Sequence, residues 1–112
     1  MQLGENNRKI VYDGGDIINI LKEIDYILGS LHGMGSYYAD SIGEDRQEYE
    51  RETTAFIDNS LVCSRLAAVR EKLSEKLDRS LGEDDMDDLE RACSDIEYWR
   101  RPGDHSDKLW AE

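Results

Sequence analysis

Proline is nearly missing from this chain: Pro102 is the only one among 112 residues. With 38% hydrophobic content and several periodic segments, that scarcity argues against disorder. Histidine is just as scarce, with His32 and His105 alone. Neither has a glutamate three residues before it, so the Glu-x-x-His pairs of a di-iron bundle are excluded. A Ser-His-Asp or Cys-His arrangement would have to use one of these two. His105 sits in a polar tail, and His32 sits in GSLHGMGS, which has no lysine or arginine and lacks the spacing of a phosphate-binding loop. No apolar run approaches the ~18 residues that a membrane span requires. The opening MQLGENNRK has no apolar core after its basic residues, so it does not read as a secretory signal. Cys63 and Cys93 are the only cysteines, each among apolar neighbours at helical spacing. Buried, reduced thiols and a cytoplasmic location are expected, with one bridge between adjacent helices as the alternative.

Basic residues are also in short supply, 14 against 26 acidic, for a formal net charge of −12. Such a surface repels nucleic acid and anionic lipid, and it attracts basic proteins over long range. The same charge also serves plain solubility.

What is present is helical. RKIVY, residues 8 to 12, has strand character but no second strand to pair with. It is expected to be an extended arm packed on helices, within an N-terminal stretch of about residues 1 to 15. Asp16 is the expected cap of the first helix. Ile17, Ile20, Leu21, Ile24, Ile27, Leu28 and Leu31 recur at spacings of three and four, and His32-Gly33-Met34-Gly35 reads as its end. Ile42, Tyr49, Phe56 and Cys63 repeat every seven residues, and Val62, Leu66, Val69, Leu73 and Leu77 continue the stripe in a new phase. The change falls at Asp58-Asn59-Ser60, three weak helix formers. One long helix bent there, from Gly43 or Glu44 to Leu81, is favoured over two helices. A last helix begins in the acidic run, follows Met86, Leu89, Cys93, Ile96 and Trp99 or Arg100, and stops at Pro102-Gly103. The expected fold is all-α: one domain over residues 1 to 112, an antiparallel bundle of three to four helices with a polar tail over 103 to 112.

Two acidic segments are the candidate sites. GEDDMDDLE, residues 82 to 90, packs six carboxylates into eight positions after its glycine. Those in a first helical turn are favoured by the free N–H groups. A calcium loop would need a glycine inside the run and oxygen ligands at alternating positions, which are not there. No metal or cofactor is expected. On the last helix Asp84, Asp87, Asp88 and Asp95 should share one side, with Arg91 alone among them. The second segment, YYADSIGEDRQEYERE, sets Tyr37 and Tyr38 beside Asp40, Glu44, Asp45, Glu48 and Glu52. Tyrosine supplies rigid contact area, and carboxylates pair with a partner's Arg and Lys. Tyr49 reads as core, and Tyr37 and Tyr38 could equally cover the bundle end.

In size, charge and fold class, though not in any signature motif, the chain resembles bacterial immunity proteins, the cytoplasmic antidotes to toxins. That resemblance implies no enzyme activity, stoichiometric occlusion of a basic toxin's active or substrate surface, and no direct contact with nucleic acid or membrane. Two alternatives remain: a phage-encoded nucleic-acid mimic of the anti-CRISPR kind, and a helical adaptor or chaperone that shares its Leu/Ile face in a homodimer.

Overall fold

The computed structural model describes residues 3–39 and 43–103. Asp40 and the tail after Gly103, with His105, lie outside the described residues. Those described are helical, with no strand among them. They divide into two compact units: a helical unit over Ile10–Lys76, and a loop unit built from residues 3–9 and 77–103.

The helical unit starts with α1, Gly14–Tyr38. Its cap is Asp13 rather than Asp16: Asp13 Oδ1 accepts from the backbone N–H of Gly15 at 2.8 Å and of Asp16 at 3.3 Å. Asp16 instead lies in the first turn and faces Lys72 Nζ at 3.6 Å. α1 also runs past His32–Gly35, where an end was expected. Glycine costs a helix interior roughly 0.5–1 kcal/mol relative to alanine. Here the burial of Tyr38 beyond the glycines, to 6% exposure, holds the extra turn in place.

Residues 46 to 74 form two helices, not one bent helix: α2, Arg46–Asn59, and α3, Val62–Ser74. The break lies at Ser60-Leu61, where Leu61 takes the left-handed conformation at φ 55°. α3 stops at Ser74, short of Leu81. Both helices run antiparallel to α1 and follow one another along it. Tyr38 meets Glu48 and Tyr49, Tyr26 meets Phe56 and Ser60, Glu23 meets Arg65, and Asp16 meets Lys72.

Ile20 and Ile27 of α1 and Val62 and Val69 of α3 are buried between the helices. Each such side chain contributes about 1.5–3 kcal/mol. The core is thin, and no side chain among the described residues is completely buried. Of the expected arm, residues 5 to 7 form a 3-10 turn and residues 14 and 15 belong to α1, leaving a shorter non-helical stretch before α1. Tyr12 donates its hydroxyl to the Leu73 carbonyl, Lys76 Nζ donates to the Val11 carbonyl at 2.6 Å, and the same ammonium stands 5.3 Å from the Tyr12 ring centre. Cys63 is exposed, contrary to expectation, because it follows Val62 and so turns away from α1. Both cysteines are free thiols.

In the loop unit, a 3-10 turn at Glu5–Asn7 docks against residues 78 to 91. The only helix there is α4, Asp88–Cys93, much shorter than the one expected to reach Trp99. Ser94 ends it: its hydroxyl donates to the Arg91 carbonyl at 2.7 Å and competes with the next helical bond. Beyond it Ile96, Tyr98 and Trp99 are exposed.

Candidate functional site

The tyrosine-rich segment is assembled by the meeting of the α1 C-terminus and the α2 N-terminus. Tyr38 closes the core there, and its hydroxyl donates to Glu48 Oε2 at 2.8 Å. Burial first, and then this acceptor carboxylate, push the Tyr38 phenol up to about 12. It therefore stays a protonated donor throughout the working pH range. Tyr49 is half-buried, with its ring centre 5.4 Å from that of Tyr38. Tyr37 is different. Its ring stands edge-on against Tyr38, 4.9 Å between centres and 89° between planes, and it is 76% exposed. An exposed aromatic thus stands edge-on against a buried one.

The acids of this segment divide into two groups. Glu48 is engaged by Tyr38 and lies 3.9 Å from Arg51, and Glu50 is paired with Arg46 at 2.9 Å. Glu44, Asp45 and Glu52 are exposed and have no ion-pair partner among the described residues. Asp45 sits at the α2 N-cap position but makes no side-chain capping bond.

The acidic run in the loop unit has a different use. Asp84, Asp87, Asp88 and Asp95 do not share a helix face, because the helix starts only at Asp88. Asp87 is the N-cap, 3% exposed. Its Oδ1 accepts from the Glu90 N–H at 2.8 Å, and its Oδ2 accepts from Arg79 Nε at 2.5 Å. Arg91 donates to both oxygens of Asp84, at 2.7 and 2.8 Å, and to Asp88 Oδ1 at 2.9 Å. Asp88 Oδ2 also accepts from the Asn7 side chain at 2.8 Å and the Gly4 backbone at 2.9 Å. These donors hold three carboxyls below the usual range: Arg91 chiefly for Asp84, the Glu90 N–H for Asp87, and Asn7 for Asp88. Of the acids in the run and Asp95, Glu83, Asp85 and Asp95 are exposed without an ion-pair partner among the described residues.

Much of the dense charge in GEDDMDDLE is therefore structural. Carboxylates fold a helix-poor loop around two arginines and two asparagines. Arg91, three residues after Asp88, is a signal of this that local spacing carries. No local signal points to Asn7, which lies 81 residues away.

A groove of about 190 Å³ lies between α1 and α3. Ile20 and Val69 line its floor, and its rim is closed by Glu23–Arg65 at 2.6 Å and Asp16–Lys72 at 3.6 Å. Both carboxylates are paired with a cation, and no histidine among the described residues lines the groove. Among the described residues no three His, Cys, Asp or Glu side chains gather as a metal site would need. No helix there is long and apolar enough to cross a membrane. Compared with protein-family models, characterised proteins and solved structures, the chain matches none.

Proposed function

We propose that this chain is a non-catalytic docking protein that binds a basic protein partner through the Tyr37 patch. Its role would be that of a cytoplasmic immunity protein, neutralising a toxin by covering the toxin's active or substrate surface. The observation that carries the reading is the geometry of Tyr37, an exposed ring set against the buried Tyr38 where α1 meets α2; Glu44 and Asp45, just before α2, and Glu52 within it are exposed acids of the same segment. Rigid aromatics lose little entropy when covered, and surrounding charges select the partner and speed its arrival. The net charge of −12 adds attraction at long range.

What supports this reading over a nucleic-acid mimic is the state of the acidic run. A mimic needs a long row of free carboxylates. Asp84, Asp87 and Asp88 are instead tied to Arg91, Arg79 and Asn7.

The test is a paired substitution, Glu44→Lys with Asp45→Lys, alongside Tyr37→Ala. Each should leave helical circular dichroism unchanged, since all three side chains are exposed. Each should also weaken capture of the basic partner. Unaltered capture by both variants would remove this patch as the docking surface.

A further inference from the structure

One face of the helical unit is apolar and open, with Arg70, one residue after buried Val69, as the charge on its α3 side. Ile20 and Ile27 point into the core, and Leu21 and Leu28 each follow one residue later, rotated by about 100°. They are 47% and 63% exposed. On α3, Leu66 and Leu73 each come four residues after a buried valine and are rotated the same way by about 40°. In an antiparallel pair, equal rotations open onto the same side. The paired charges Asp16, Glu23, Arg65 and Lys72 are rotated the other way and close the opposite side.

We infer that this open face is a homodimer interface, in which a second copy lays its own α1 antiparallel across Leu21 and Leu28. Three observations select a second copy over other occupants. First, Ile18, Leu21, Leu28 and Leu31, all exposed, have spacings of three, seven and three, which read the same in both directions. A two-fold axis between residues 24 and 25 sets Leu21 against the copy's Leu28, twice over, with Ile18 and Leu31 flanking that seam on opposite edges, the self-complementary pattern of a symmetric dimer.

Second, the charges at the margin of this face on α1 are Lys22 and Asp25, and neither has an ion-pair partner among the described residues. The same axis brings Lys22 beside the copy's Asp25, twice over. On a molecule of net charge −12 this is a face where another copy is not repelled.

Third, the size suits a weak dimer. α1, about 37 Å long, and α3, about 20 Å long, each about 10 Å wide, offer roughly 570 Å² per partner, above the roughly 500 Å² per partner that a biological interface should clear. Two such units face to face also give the four-helix cross-section that the thin core lacks.

The Tyr37 patch is not consumed by this dimer. Tyr37 comes nine residues after Leu28, about half a turn around α1. The dimer and the docking patch can therefore fail independently.

Sedimentation of the full chain from low to high micromolar concentration tests the inference. A concentration-dependent rise to twice the 12.9 kDa chain mass is expected. Leu28→Glu should leave a monomer of unchanged helicity, because that side chain is exposed. Lys22→Glu should weaken the dimer several-fold, and adding Asp25→Lys should restore it. A wild-type chain that stays monomeric throughout would overturn the inference. So would a dimer indifferent to Leu28→Glu, or one that the double charge swap does not restore.

Discussion

Arg91 holds Asp84 through two guanidinium nitrogens, at 2.7 and 2.8 Å, across seven residues of chain. The same side chain reaches Asp88 and the Met86 carbonyl at 2.9 Å. One cation thus ties the turn before α4 to the helix itself. Arg91→Ala should open this turn without unfolding the helical unit. Amide hydrogen exchange over residues 82 to 91 should quicken on the order of tenfold or more, while α1 and α3 keep their protection. Equal exchange in wild type and variant would show that the turn does not depend on Arg91.

Leu61 carries a different kind of strain. At φ 55° a non-glycine side chain crowds its own carbonyl, and this leucine is 61% exposed, so little burial offsets the cost. Leu61→Gly should raise unfolding stability by about 0.5–1 kcal/mol, relief of the left-handed penalty less glycine's extra chain entropy. Leu61→Ile should lower it, because branching at Cβ worsens the clash. Urea unfolding with an unchanged slope measures both. A destabilising glycine would contradict this account of the break.

The acid response of the loop unit has a definite sign. Ser80 and then Asn6 donate to the Asp78 carboxylate and lower its pKa to about 2. Asp84, Asp87 and Asp88 are lowered as well. A group held below its unfolded value adds stability above that value and loses it as pH falls through the folded one. The loop unit should therefore hold down to about pH 4, the ordinary Asp value, and loosen toward about 2. The Asn7 side-chain amide signals, bonded to Asp78 and Asp88, should report it by NMR. Loss of those signals near neutral pH would contradict the assignment.

The helix pattern was readable where burial follows a local period. Ile20 and Ile27, seven apart, mark α1, and Val62 and Val69 mark α3. The misread ends have specific causes. His32–Gly35 looks like a stop, yet a buried Tyr38, anchored by Glu48 on another helix, carries α1 through it. Asp58-Asn59-Ser60 signals weakness, but nothing in Leu61 announces a left-handed residue. The acidic run suggested a helix start within it. The structure starts it at Asp88, because Asp85 itself turns left-handed at φ 61° and Arg91 pulls Asp84 back. For the candidate site, the sequence grouped Tyr37 and Tyr38 as equals. Only the packing separates the buried ring from the exposed one.

The central claim, that a basic partner docks on the Tyr37 patch, is tested most directly by one salt-stepped affinity capture from the native host. Wild type is compared with Tyr37→Ala and with a control, Glu83→Lys with Asp85→Lys, that reverses exposed charge in the loop unit. A desolvated aromatic contact resists screening, whereas a purely electrostatic one does not. The account predicts one basic protein retained by wild type and control through the high-salt wash, and lost with Tyr37→Ala. Retention by Tyr37→Ala, or release of every captured protein by salt, would contradict it.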